Sequence, residues 1–221
     1  MKRLYLLIIC LGIAAFSYAQ QPGYYFGPRL AMGQAQFTGL PGFYNGFAMQ
    51  VGLSSSRQFT EAFALQFTPF IGLYNGARQN GEGDGAYPNG MRKILLYRDN
   101  YNIYSVEFPL MVKFSGGFRR AKFSIFGGPS LGYLMAGSRS KQYQDPNYNA
   151  DHGYSGHSME DLKRGMYSGD VGVAAELEAS RGLVAIDFRI HHNFTPLGTL
   201  EGTYFSAHMM TIGLAFMFDA R

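Results

Sequence analysis

Three residues toward the C-terminal end have the side chains that acyl transfer uses: His192, Ser206 and His208. A serine becomes a nucleophile when an imidazole in hydrogen-bond contact takes its proton. If residues 183–194 and 204–218 form a hairpin centred near residue 199, His192 falls across from Ser206 with His208 nearby. Such a group, facing outward near a barrel's outer rim, could deacylate a lipid. No carboxylate is evident to orient the imidazole, however, and polar side chains at headgroup level cost a membrane protein little. The reading adopted is a polar rim, with a lipid-modifying hydrolase as the alternative.

Two further groups contain ligand chemistry. Asp151, His152 and His157 combine a carboxylate with two histidines five residues apart, which are zinc-ligand types. The Gly- and Tyr-rich run around them offers no fixed scaffold, so a solvated loop is expected. Gly81-Glu82-Gly83-Asp84-Gly85 has too few regularly spaced oxygen ligands for a calcium loop, and a flexible tip is expected there. No catalytic, cofactor-binding or metal-ligating residue is therefore assigned, no cofactor is expected, and the chain is not read as an enzyme.

The elements that must carry these residues are strands. In Tyr104–Phe114, Tyr104, Val106, Phe108, Leu110, Val112 and Phe114 alternate with Ser105, Glu107, Pro109, Met111 and Lys113. This period of two gives one wholly apolar face. Eight such strands are expected, at 24–34, 46–54, 61–74, 101–115, 121–136, 167–179, 183–194 and 204–218. Their opposite faces are small or charged, with Gly27, Gly33, Gly128, Gly132, Gly172 and Gly213 beside Arg29, Glu107, Lys113, Glu176, Glu178, Asp187 and Arg189. Tyr24, Tyr104, Phe114, Phe123, Tyr133, Phe194 and Tyr204 fall near strand ends, where aromatic girdles form at membrane interfaces.

Alternation alone does not separate a soluble barrel from a transmembrane one, but the connections do. Their lengths run about 11, 6, 26, 5, 30, 3 and 9 residues, so the long ones are all odd-numbered. An up-and-down barrel sends odd connections to one end, and outer-membrane barrels have long extracellular loops and short periplasmic turns. The fold class is thus an all-β, eight-stranded, antiparallel, up-and-down transmembrane β-barrel. A soluble ligand-carrying barrel is the third reading.

Composition agrees. Lys2 and Arg3, an apolar run from Leu4 to Phe16 and the small-x-small site Ser17-Tyr18-Ala19 make a leader over 1–19, with cleavage before Gln20 and a barrel domain over 20–221. The apolar run falls short of the roughly 20 residues a spanning helix needs, and no later run reaches that length. Loss of the leader removes Cys10, the sole cysteine, and lowers the formal net charge from +4 to about +2, too mild for a nucleic-acid partner. Charged residues are 15% of the chain against a usual share near 25%, and aromatics are 16%.

Four stretches, LQFTPFIGLYNGA (65–77), YSVEFPLMVKF (104–114), FSIFGGPSLGYLM (123–135) and TIGLAFMF (211–218), together resemble the PorT-like outer-membrane β-barrel proteins. That resemblance implies an outer-membrane location, and one branch of the family contributes to a protein-secretion apparatus. Outer-membrane lipids are the expected surroundings of a monomeric barrel. Any protein partner is expected at extracellular loops 75–100 and 137–166. The lumen is expected to be closed to ions. Glu107 and Lys113, six residues apart on one face, lie some 20 Å apart and must find partners on other strands, among Arg29, Glu176, Glu178, Asp187 and Arg189.

Overall fold

The computed structural model describes residues 23–38, 44–86, 92–118, 120–145, 148–158, 164–179, 182–200 and 203–219. The expected leader, 1–19, lies outside them. The apolar alternation becomes a continuous antiparallel ladder of β1 (Tyr24–Thr38), β2 (Tyr44–Gln58), β3 (Phe63–Phe67), β4 (Phe70–Ala86), β5 (Arg92–Phe118), β6 (Ala121–Asp145), β7 (Tyr148–Ser158), β8 (Gly165–Ala179), β9 (Gly182–Asn193), β10 (Gly198–Leu200) and β11 (Thr203–Asp219). β3 and β4 are one stave, interrupted at Thr68-Pro69, where proline has no N–H to give to a ladder.

The staves run β1, β2, β3/β4, β5, β6, β8, β9 and β11, and the last pairs with the first. Leu30 of β1 is flanked by Val51 on one side and by Leu214 of β11 on the other. Closure leaves no sheet edge within the ring, which is the condition for strands to cross lipid. The expected eight-stranded, antiparallel, up-and-down barrel is the observed one.

The two faces separate as the alternation requires. Leu30, Val51, Ile71, Phe108, Ile125, Val173, Ile186 and Ile212 point outward and are exposed around the whole circumference. A soluble monomer rarely shows a contiguous apolar patch above a few hundred Å², whereas this band encircles the molecule. Tyr24, Phe114 and Phe123 stand outward near the short-turn end. Tyr104, Tyr133, Phe194 and Tyr204 stand outward near the other. Phe70, which shares the small-residue face of its stave, is buried in the interior.

Three expectations need correction. Within stretches 75–100 and 137–166, expected as loops, the described residues 75–86, 92–100, 137–145 and 148–158 are strands. β4 and β5 stay paired from Phe70↔Glu107 to Ala86↔Arg92, and β6 pairs with β7 from Ser138↔Ser158 to Asp145↔Tyr148. Hydropathy alternation stops where lipid stops, because a strand above the membrane needs no apolar face, but the hydrogen-bond ladder runs on. Gly81–Gly85, expected as a flexible tip, lies in β4 opposite Tyr97 to Lys93 for the same reason. Glu178 has inward parity but lies past the barrel's rim, exposed, with its carboxylate 2.9 Å from Lys122 Nζ.

Candidate functional site

The polar faces of the eight staves meet inside the barrel, where an interior this narrow is filled by side chains. Near the short-turn end Lys113 of β5 reaches Glu176 of β8, Nζ to Oε1 2.5 Å. Leu183, Ala185, Ala215 and Met217 pack beside them with Tyr25. Neither Lys113 nor Glu176 can pair along its own strand, so each finds its partner on another stave, here past β6, as the spacing of Glu107 and Lys113 requires.

At mid-height Arg29 of β1 makes a two-pronged contact with Asp187 of β9. Its Nε donates to Oδ2 at 2.9 Å and its Nη2 to Oδ1 at 2.6 Å. Its Nη1 donates to Gln50 Oε1 at 3.2 Å. This fork geometry is the strong form of a carboxylate contact. Gly213 leaves the space for it, since a Cβ there would stand 2.5 Å from Arg29 Nη2 and 2.8 Å from Asp187 Oδ2. Arg189, one pleat along, is fully buried. Its guanidinium lies 3.9 Å from both Asp170 and Asp187 and 5.3 Å over the Phe126 ring.

His191 ties the next layer together. Its Nδ1 lies 3.3 Å from Asp170 Oδ1, and its Nε2 lies 3.3 Å from Glu107 Oε2 and 3.2 Å from Asn193 Oδ1. Glu107 Oε1 also accepts hydrogen bonds from the Tyr74 hydroxyl and from Ser105 Oγ, the latter at 2.7 Å. The carboxylates of Glu107, Asp170, Glu176 and Asp187 thus face Arg29, Lys113, Arg189 and the His191 imidazole. Above them Phe37, Tyr74, Tyr101, Ile103, Leu134, Leu197, Phe205 and Met209 form a buried apolar layer toward the outer mouth. Leu197 belongs to the segment after β9, and its N–H donates to the Phe205 carbonyl at 2.8 Å, which holds that segment inward.

Of the interior residues expected to pair, Arg29, Glu107, Lys113, Glu176, Asp187 and Arg189 do converge. Asp170 and His191, which alternation also puts on the inward faces of 167–179 and 183–194, are not among the expected partners, and Tyr74 is a member that sequence reasoning missed. Parity would have found Tyr74, which alternates in phase with Phe70 and Gly72. The Asp170–His191 contact depends on register, which alternation does not contain.

The outer rim corrects the acyl-transfer expectation. His192 pairs with His208, not with Ser206, and Ser206 sits across from Thr38 of β1. The hairpin contains its own short strand, β10, which displaces the register by two residues. A shift of two keeps every side chain on its face but changes its cross-strand partner. No hydrogen bond joins Ser206 to either imidazole, so the expected serine–histidine contact is not formed. Asp151, His152 and His157 lie on β7 rather than in a loop. Among the described residues no three His, Cys, Asp or Glu side chains come together as a metal site.

A family model described as an outer membrane protein beta-barrel domain matches residues 18–198, in keeping with this geometry. No curated protein matches the chain. Solved structures that resemble it include Neisserial surface protein A, at 12% identity over 88% of this chain and 97% of that one, with a TM-score of 0.40. A major outer membrane protein from Thermus thermophilus has 13% identity over 86% and 99% of the two chains, with a TM-score of 0.40. The attachment invasion locus protein Ail of Yersinia pestis has 11% identity over 90% and 100%, with a TM-score of 0.37.

Proposed function

Because the chain belongs to the outer membrane protein β-barrel domain family, we propose that it is an ion-tight barrel of the outer membrane. Its interior charges serve as a structural plug, and its work is done by the sheet raised above the barrel. That sheet is a platform for protein partners, and the resemblance of 65–77, 104–114, 123–135 and 211–218 to the PorT-like proteins favours an accessory role in a protein-secretion apparatus.

The observation that carries this reading is the continuation of pairing past the barrel wall. The β2–β4 ladder is traced to Asn45↔Ala77, yet β4 remains paired with β5 up to Ala86↔Arg92. β5, β6 and β7 extend alongside. From residue 78 to 86 the strand adds on the order of 30 Å at about 3.3 Å per residue. Spanning lipid does not need this length, and ordering it costs backbone entropy. A paired sheet held off the membrane suits contact with another protein. The hydrolase alternative is not carried forward, because Ser206 faces Thr38 and not an imidazole.

Photoreactive side chains placed at residues 84 and 152 in intact cells test this. They are expected to give discrete protein adducts, identified after purification of the barrel, while the same probe at Val173 gives lipid adducts alone. Absence of any protein adduct from both raised positions would remove the platform reading.

A further inference from the structure

The geometry points to a divalent transition-metal site at the outer rim, built from His192 of β9 and His208 of β11 and oriented by Thr38 of β1. The two histidines are direct cross-strand partners. Their rings stack with centroids 4.3 Å apart, and the Nδ1 atoms approach to 2.5 Å. Two ring nitrogens that face each other cannot both present lone pairs, so something positive lies between them. In the metal-free protein this is the N–H of one ring, donating to the other.

A metal ion takes the same place with little movement. Zinc binds imidazole nitrogen at about 2.0–2.1 Å, so two nitrogens on a tetrahedral ion stand roughly 3.3 Å apart. The rings need to open by less than about 1 Å, a small rotation on adjacent strands. The convergence selects a cation over an anion such as a lipid phosphate, which would need the two N–H groups to diverge around it.

Thr38 supplies the outer partner that metal-bound histidines usually have. Its Oγ1 lies 3.2 Å from His208 Nε2. With Nε2–H donating to that hydroxyl, the tautomer of His208 leaves Nδ1 free to ligate. Phe194 packs edge-on against His192 with ring centroids 5.0 Å apart. Both imidazoles are partly exposed and carry the outward parity of Ile190 and Met210, so they meet the membrane surface. Two protein ligands leave the remaining positions to water or to oxygens of a neighbouring lipid headgroup. Thr38 is thus a positioning residue, and the two histidines are the ligands.

The test uses the full mature barrel without affinity-tag histidines, folded in detergent, titrated with Zn²⁺ by calorimetry and with Cu²⁺ by electron paramagnetic resonance. One Zn²⁺ per barrel is expected, with the Cu²⁺ spectrum showing two imidazole nitrogens. The site is expected to be lost in His192→Ala and in His208→Ala, and weakened about 10-fold or more in Thr38→Val. The double variant His152→Ala, His157→Ala is expected to bind as the wild type does. Retention of the site in His208→Ala, or a wild-type Cu²⁺ spectrum with fewer than two nitrogens, would overturn the proposal. The wild-type spectrum decides the matter even if a variant fails to fold.

Discussion

Replacing Asp187 by alanine is expected to lower the unfolding free energy of the barrel by about 3–5 kcal/mol, the loss typical of breaking a buried ion pair from one side. Asp187 accepts both prongs of Arg29 and lies 3.9 Å from Arg189. Without it, the buried Arg29 guanidinium keeps only Gln50 as a hydrogen-bond partner, and the buried Arg189 guanidinium keeps only Asp170 as a nearby carboxylate. Arg189→Met should cost much less. The Arg189 guanidinium makes no hydrogen bond to a side chain and rests on the face of Phe126, a place an apolar chain of similar length can occupy. The folded fraction, followed through a urea series by the faster gel mobility of the unboiled barrel, measures both. Equal stability of Asp187→Ala and wild type would mean that the central ion pair is not what holds the staves together.

One residue away from a buried position the requirement reverses, and a second large effect follows. Val173, in the middle of β8, faces outward and is exposed, while its neighbour Ala174 is buried. An arginine on the lipid face of a barrel costs about 2–4 kcal/mol at the bilayer midplane and about 0–1 near the interface. Val173→Arg should therefore destabilise the lipid-embedded barrel strongly and Tyr204→Arg hardly at all. The same urea series in lipid vesicles measures the difference. Two substitutions with equal, small effects would indicate that this surface meets water.

These opposed demands of lipid and lumen explain why so much of the barrel was legible. They act on alternate residues, so the stretch from Tyr104 to Phe114 states its own orientation, and repeating the pattern in each stave defined the ring. Aromatic belts at Tyr24 and Phe123, and at Tyr133 and Tyr204, follow from the same logic. Where only one demand acts, the signal fades. Above the membrane neither face of a strand has to be apolar, so Gly81–Gly85 and the stretch around His152 read as loops although they pair as strands.

Register was the other gap. Side-chain parity survives a two-residue shift, so Ser206 and His208 were both placed on the outward face correctly, yet which of them meets His192 depended on a hairpin whose inner strand, β10, spans Gly198–Leu200. The interior shows the same division. The charges of Arg29, Lys113, Glu176, Asp187 and Arg189 were assigned to the lumen from composition and spacing. That His191 lies between Glu107 and Asp170 required the three-dimensional arrangement.

The most direct measurement of the central claim, a closed barrel sealed by its own side chains, is electrical. Ion pairs at two heights and the apolar layer of Phe37, Tyr101, Leu197 and Phe205 would have to part to admit a hydrated ion. The purified wild-type barrel inserted in a planar bilayer is expected to show no steady conductance across the voltage range the bilayer tolerates. Stable, ion-selective single channels from the wild type would contradict the account.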